Sequence, residues 1–149
     1  MNQRFIHNFI WIPIFIIGFM NLCLGLVFLF HLEPWVLNQA SNEILIGSSF
    51  DTLFASEINI NLPNYLKAMY SFHGLCMVII GLLIIVYVQV TKMGTDLARN
   101  SILSVLLFVL IGAIYILYNF IPSSLFKIII ILQIILWSMS VFSSTLIEE

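Results

Sequence analysis

Long apolar runs alternate with short polar stretches along this chain. Four runs are long enough to cross a bilayer, and they contain no Asp or Glu; they cover about residues 9–30, 65–90, 102–120 and 125–146. A helix rises 1.5 Å per residue, so about 20 residues span a hydrocarbon core of roughly 30 Å. Backbone groups in lipid must pair internally, and the alternating pattern of barrel strands is absent from the sequence, so the runs are predicted to be helices.

The connections between the runs predict an all-α integral membrane four-helix bundle with antiparallel, up-and-down topology. Residues 33–64 form one long connection. The other two, 91–100 and 121–124, are short, and 91–100 is predicted to be aqueous because it holds Lys92, Asp96 and Arg99. Short connections make neighbouring helices antiparallel. Because four spans and three connections use nearly the whole chain, residues 1–149 are predicted to be a single transmembrane domain. At the last connection, Pro122 ends one helix and Ser123 or Ser124 is predicted to cap the next.

Part of the long connection has the pattern of a short amphipathic helix. Ser48 with Asp51 three residues later resembles a helix N-cap. Phe50, Leu53 and Phe54 then share one helical face. We therefore predict a short helix that lies on the membrane surface in this first loop.

Composition supports a membrane location and argues against nucleic acid as a partner. Of the 149 residues, 62% are hydrophobic and only 8% are charged, whereas soluble domains carry roughly 25% charged residues. A soluble chain of this kind would expose large apolar patches and aggregate. The net charge of −2 and the lack of a basic run give no nucleic-acid signal.

The distribution of cationic residues predicts the orientation in the membrane. Arg4, Lys92 and Arg99 lie on the side of the N-terminus, and Lys67 and Lys127 lie near the other side. The 33–64 connection is acidic and contains no Lys or Arg. The positive-inside rule therefore predicts a multi-pass protein of the cell membrane with both termini in the cytoplasm and the 33–64 loop outside.

Polar residues within the spans concentrate in the outer half of the predicted bundle. Such side chains are costly in lipid and tend to face the bundle or a wet cavity. They predict an outward-opening polar pocket lined by Asn21, Tyr70, His73, Tyr115, Asn119 and Lys127. Met77, Ile80 and Phe108 are expected to make it apolar below. Such a pocket suits a lipid, a quinone or another amphiphile, and Lys127 favours an anionic head group.

Other interpretations of these polar residues remain open. Asn21, His73 and Gln133 are also of the type that forms interhelical hydrogen bonds, which fix the packing without any ligand. His31 and His73 are candidate haem ligands, but their depths differ. Cys23 and Cys76 have similar depths and suit a disulfide, or a metal site together with His73. Neither a metal nor a cofactor is predicted, because no Cys/His cluster has ligand spacing.

The sequence argues against several function classes. The spans lack the carboxylate relay of proton-coupled transporters, and no hydrolase, phosphate-loop or zinc-protease motif is present. We expect a non-enzymatic accessory or binding protein that contacts membrane lipids, with a membrane-protein partner or a second copy as further possibilities. The alternatives are a small redox or lipid-modifying enzyme using His73 with Lys127 or Tyr70, and a protomer of an oligomeric transporter or channel.

Small residues predict which helix faces meet. They recur at steps of three and four on the first two spans: Gly18, Asn21 and Gly25 on one, and Ser71, Gly74, Val78 and Gly81 on the other. Small residues let helix backbones approach closely in a membrane. These two faces are therefore expected to pack together.

The segments FIIGFMNLCLGLVFLFHLEPWVL and NYLKAMYSFHGLCMVIIGLLIIVY, separated by a long loop, resemble a bacterial four-helix membrane family of unknown function that neighbours the DoxX-like proteins. The resemblance lies in the glycine-punctuated first helix, its aromatic-proline exit, and Lys67, Ala68 and Tyr70 at the start of the second. It covers about two thirds of the chain and implies a four-helix bundle without an established activity. Relatives usually have Arg at the position of Lys67 and often Gly-Gly at Phe72-His73, so the resemblance assigns no role to His73.

Overall fold

The computed structural model describes residues 3–120 and 126–146, and all secondary structure in these ranges is helical. The helices are α1 (Gln3–Phe30), α2 (Gln39–Ile46), α3 (Phe50–Ala55), α4 (Leu62–Thr91), α5 (Asp96–Phe120) and α6 (Phe126–Ser144), with short 3-10 helices at Pro34–Asn38 and Glu57–Asn59. The four long helices are apolar enough to cross a membrane, which confirms the prediction of four long apolar helices and agrees with a multi-pass membrane protein. The predicted stop and caps at Pro122, Ser123 and Ser124 lie outside the described residues.

The packing of α1 on α4 is set by glycines, and it confirms the predicted meeting of the two small-residue faces. A Cβ atom added at Gly25 would lie 2.6 Å from the backbone nitrogen of Val78, and one added at Gly74 would lie 2.7 Å from the carbonyl oxygen of Gly25. Gly81 approaches the carbonyl oxygen of Gly18 in the same way, at 2.7 Å from its added Cβ. Only residues without a side chain allow the two backbones to come this close.

The hydrophobic core lies at one end of the bundle, where α1 begins, α4 gives way to α5, and α6 ends. We call this end the turn end. Its buried cluster consists of Ile10, Ile14, Ile17, Ile84, Val88, Met93, Ile102, Leu103 and Leu106. Two side chains of α6 tie the cluster together by hydrogen bonds to backbone carbonyls. Ser140 Oγ donates to Ile10 at 2.6 Å, and Trp137 Nε1 donates to Leu103 at 2.9 Å.

The turn between α4 and α5 is built from two consecutive left-handed residues. Lys92 and Met93 have φ angles of 47° and 52°, a conformation that costs an L-residue roughly 1–2 kcal/mol. Burial of Met93, which is fully enclosed in the core, offsets this cost. Lys92 Nζ lies 4.8 Å from the ring centre of Trp11, and the Tyr87 hydroxyl donates to the carbonyl of Ala98 at 3.0 Å.

The start of α5 corrects the predicted aqueous connection at residues 91–100. The helix already begins at Asp96, and Arg99 is only 6% exposed within its first turn. The Arg99 guanidinium pairs with Asp96, and its Nε atom is buried without a hydrogen-bond partner. Charge alone had placed Arg99 in water, but a short ion pair along one helix turn allows the side chain to pack among apolar neighbours.

Residues 31–61, which we call the cap, fold over the opposite end of the bundle. The predicted short helix is present as α3, but its N-cap is Ser49, whose hydroxyl accepts from Thr52 N at 3.2 Å, rather than Ser48. The rings of Phe50 and Phe54 lie 6.4 and 5.5 Å from the ring of Trp35. The apolar face that predicted contact with a membrane surface is therefore packed against the rest of the cap.

The side chain of Asn42 connects two parts of the cap and reaches α4. Its side-chain nitrogen donates to the carbonyl of Trp35 at 3.0 Å, and the same side chain lies within hydrogen-bond reach of Tyr70 on α4. A different set of apolar side chains is exposed on the cap, namely Ile44, Leu45, Ile46, Ile58 and Ile60. The cap thus lies over the N-terminal end of α4 and exposes its own apolar surface.

Candidate functional site

A buried phenylalanine gathers aromatic side chains from three helices at the cap end of the bundle. Phe28 of α1 is 3% exposed. Its ring stacks on Tyr70 at 6.0 Å and on Phe126 of α6 at 5.6 Å, and it meets the edge of His73 at 5.7 Å. Two of the six predicted pocket residues, Tyr70 and His73, are therefore brought together. Tyr70 is half-buried and His73 is exposed, so polar atoms border a buried aromatic surface.

Asn21 lies deeper along α1, on the same face as Phe28. The two residues are seven positions apart, which is close to two helical turns. Asn21 is half-buried, and its side-chain nitrogen donates to the carbonyl of Ile17 in its own helix at 2.9 Å. Its side-chain oxygen remains available as an acceptor for a neighbouring group.

Gln133 of α6 is the residue that the sequence-based pocket omitted. It is 8% exposed, and its side-chain amide makes no hydrogen bond to another residue in the described ranges. The sequence does carry a signal for it, since Gln133 is the one amide side chain in an otherwise apolar run from 128 to 137. Its burial toward the bundle, however, depends on the rotation of α6, which hydropathy alone leaves open because α6 is apolar on nearly all sides.

Helical periodicity places Asn21 and Gln133 on facing surfaces. Phe28 and Phe126 contact each other across α1 and α6. Asn21 and Gln133 each lie seven residues from this ring pair in the direction of the turn end, so each keeps the orientation of its phenylalanine. Both amides therefore lie about 10 Å below the ring pair, inside the bundle at similar depth.

None of Asn21, His73 and Gln133 makes an interhelical hydrogen bond within the described residues. Within the described residues, Asn21 bonds to its own helix, His73 contacts a ring, and Gln133 has no partner. A buried polar group without a partner costs roughly 1–3 kcal/mol. The arrangement leaves hydrogen-bonding capacity inside the bundle that packing does not use.

The other three predicted pocket residues lie elsewhere at the cap end. Tyr115 is 63% exposed, and its ring meets that of Phe120 at 6.5 Å. Asn119 is exposed and donates to the carbonyl of Tyr115 at 2.8 Å, so the described contacts of both stay within α5. Lys127 is exposed on the first turn of α6.

The predicted apolar floor also differs from the structure. Phe108 is 80% exposed and Ile80 is 43% exposed, so both lie on the outside of the bundle, while Met77 is half-buried. Their position in the sequence gave the correct depth, but depth alone does not determine which way a side chain on an apolar helix turns.

The alternatives that involve histidine and cysteine find little support in the geometry. His31 Nδ1 accepts a hydrogen bond from the backbone nitrogen of Glu33 at 3.1 Å, which engages the nitrogen of one candidate haem ligand. Cys23 and Cys76 are both free, so the possible disulfide is not formed. Across residues 3–120 and 126–146, no three His, Cys, Asp or Glu side chains are grouped to hold a metal ion.

In comparisons with known proteins, no protein-family model, no curated protein and no solved structure matches the chain. The resemblance to the neighbours of the DoxX-like proteins stays a prediction. A function for this chain therefore has to be argued from the site itself.

Proposed function

We propose that this chain is an accessory membrane protein that binds an amphiphilic molecule inside its helix bundle. The observation that carries the proposal is Gln133, a residue only 8% exposed whose side-chain amide makes no hydrogen bond to another described residue. A ligand that offered a donor or an acceptor to this amide would remove the cost of leaving it unpaired. The aromatic surface around Phe28 would hold the apolar part of the same molecule.

The amides favour a neutral head group over an ion. Asn21 and Gln133 are uncharged, and a primary amide both donates and accepts hydrogen bonds. A hydroxyl, an ester or a quinone carbonyl matches such groups, whereas an ion at this depth would require a countercharge. Lys127, at the start of α6, would act on an anionic group only near the membrane surface.

Tyr70 and His73 mark the route into this site. Their polar atoms border the buried ring of Phe28, and both lie on α4 beneath the cap. A molecule that enters between the helices from the cap end would pass these two side chains before it reached Asn21 and Gln133. The aromatic and amide layers together would orient a ligand with a polar head and an apolar tail.

We further propose that the four long helices alternate in direction. The contacts support this, because the partners of successive α1 residues run backwards along α4: Gly18 approaches Gly81, and Gly25 approaches Gly74. The pairs Ile10–Ser140 and Phe28–Phe126 have the same reversed order on α6.

In the membrane, this topology would place both termini in the cytoplasm and the cap outside the cell. The Lys and Arg distribution favours that orientation. The exposed isoleucines of the cap, including Ile58 and Ile60 just before α4, would then rest in the outer membrane interface.

The test is retention of an amphiphile by purified protein. The parent chain would be extracted in mild detergent and examined by native mass spectrometry and solvent extraction, beside Gln133→Leu and the matched control Ser138→Leu. Ser138 is exposed on the same helix. We expect the parent and Ser138→Leu to retain the same small molecule and Gln133→Leu to lose it while still melting cooperatively. Equal retention by all three proteins, or a parent free of bound amphiphile, would overturn the proposal.

A further inference from the structure

A cavity lies at the turn end of the bundle, far along α1 and α6 from the site proposed above. It has a volume of about 250 Å³. Its walls are Phe5, Ile6 and Phe9 on α1 and Met139, Phe142 and Ser143 on α6. Both helices are among the four that are long and apolar enough to cross a membrane, and the cavity lies at the turn end of each.

The shape of the cavity follows from the contact beside it. The hydrogen bond from Ser140 Oγ to the carbonyl of Ile10 holds the two helices together on the core side. Ile6 and Ser143 are buried and form the floor, while Phe5 and Phe142 are exposed and stand at the sides. The helices therefore enclose a groove that is closed toward the core and open toward the surrounding medium. We call it the α1–α6 groove.

We propose that the α1–α6 groove holds one hydrocarbon chain of a membrane lipid. Its six named lining residues carry no charge, and Ser143 is the one polar side chain among them, so the occupant is apolar where it contacts the groove. An apolar cavity left empty loses packing contacts along its whole lining. In a bilayer, the neighbouring acyl chains are the apolar molecules at hand, and the groove opens directly to them.

The size of the groove favours a lipid hydrocarbon chain as its occupant over a helix of a partner protein. An apolar cavity of about 150 Å³ is large enough to take up benzene, so about 250 Å³ accommodates a longer hydrocarbon segment. A helix with its side chains is roughly 10 Å wide, and the Ser140–Ile10 contact prevents the groove from widening to admit one. Met139 adds an unbranched, flexible wall that adapts to a mobile chain.

The experiment uses the full chain in phosphatidylcholine nanodiscs that contain a phosphatidylcholine with a diazirine on one acyl chain. After illumination, the labelled peptides are located by mass spectrometry. We expect labels to concentrate on the residues of the α1–α6 groove rather than on the exposed face of α5. Even labelling of all four spanning helices would overturn the proposal, because it would show only random contact with surrounding lipid.

Two filling variants and a control sharpen the result. Ser143→Phe and Met139→Trp place bulk in the groove, and each should lower groove labelling about tenfold by occupying its volume. Ser104→Phe, at an exposed position on α5, should leave it unchanged. Thermal melting identifies a filling variant that fails to fold, and the other variant then decides. Unchanged labelling in a folded filling variant would overturn the proposal.

The chain's own last residues are the rival occupant. A form ending at residue 146 separates the two possibilities. If the groove takes a lipid chain, this form should be labelled as strongly as the full chain. If labelling of the groove appears only after residues 147–149 are removed, those residues fill the groove and the lipid proposal is wrong.

Discussion

The hydroxyl of Ser140 donates a hydrogen bond of 2.6 Å to the backbone carbonyl of Ile10, joining the last spanning helix to the first across 130 positions of sequence. Both residues are fully buried. The bond supplies direction between α1 and α6, because the apolar contacts around it are non-directional. It thereby fixes how α6 is rotated and shifted against α1.

Removal of this hydroxyl should loosen the attachment of α6. We expect Ser140→Ala to lower the free energy of unfolding in detergent by about 0.6–1.7 kcal/mol, the range for hydrogen bonds between membrane helices. Ser138→Ala, at an exposed position of the same helix, should have no measurable effect. Equal stability of both variants in a denaturant titration would show that the bond contributes nothing.

Adding a single methyl group at the α1–α4 interface should destabilise the protein. Gly25→Ala and Gly74→Ala would bring a Cβ to within 2.7 Å of backbone atoms of the facing helix, and we expect a loss of about 1–3 kcal/mol by overpacking. Gly112→Ala is the matched control, because open space surrounds that position. The control should be neutral or stabilising, since Ala favours helices over Gly. Melting temperatures that agree for all three would contradict the interface.

For Gln133 we predict the direction in which a substitution changes the free energy of unfolding. If no ligand is bound, Gln133→Leu should raise the free energy of unfolding by about 1 kcal/mol, because it replaces an unpaired buried polar group with an apolar one of similar size. The measurement is a denaturant titration of delipidated protein. A large destabilisation would mean that the amide has a partner that holds the bundle together, and the proposed site would lose its main support.

The cap should loosen in acid through Glu43. Its carboxylate accepts hydrogen bonds from the side chain of Gln39 at 2.9 Å and from the backbone nitrogen of Phe50 at 3.0 Å, and these lower the pKa of Glu43 below its ordinary value of 4.5. Because the pKa of Glu43 is lower in the folded state than in the unfolded chain, its ionised carboxylate stabilises the cap at pH values above 4.5. That contribution is lost as the pH falls through the lowered pKa.

Hydrogen exchange measures this loss at the amide of Phe50. Relative to the amide of Thr52, which bonds to the uncharged Ser49 hydroxyl, protection of Phe50 should fall as the pH drops below 4.5. Glu43→Gln removes the titration while keeping an acceptor oxygen, so its protection ratio should stay flat. A parent ratio that is equally flat would show that the carboxylate does not hold the cap.

Topology is tested by thiol labelling in intact cells. In a background without the two free cysteines, a cysteine at Asp51, a charged and exposed position on the cap, should react with an impermeant reagent. A cysteine at Gly94 in the α4–α5 turn, where an added Cβ meets only an ordinary contact of 3.6 Å, should react only after the cells are opened. The reverse result would invert the proposed orientation.

Hydropathy predicted the spanning helices well, because length and apolar content are properties of each segment alone. The small-residue faces of α1 and α4 were also predictable, since close approach requires glycine at regular steps. The rotation of α5 and α6 was not predictable, and this is why Phe108 was expected inside and Gln133 received no place in the pocket. A helix that is apolar on every side carries no sequence signal for its inward face.

The cap depended on a contact that its local pattern does not contain. The apolar face of α3 looked suited to a membrane, yet Trp35, outside the predicted helix, covers it. Arg99 looked aqueous from its charge, but its pairing with Asp96, three residues earlier on the same helix, permits burial. Counting charges alone did not take account of this local pairing.

Backbone contact at Gly18, Gly25, Gly74 and Gly81 has a consequence for how such a protein can change over time. Each helix carries its two glycines seven residues apart, so four positions determine the fit of the first two spans. The surrounding side chains that meet lipid are free to drift among apolar types, because lipid accepts them all. Distant kin of this chain would share few identical residues with it. Such relatives would be recognised by two pairs of glycines, the members of each pair seven residues apart. The pairs would lie on two hydrophobic stretches separated by a folded loop.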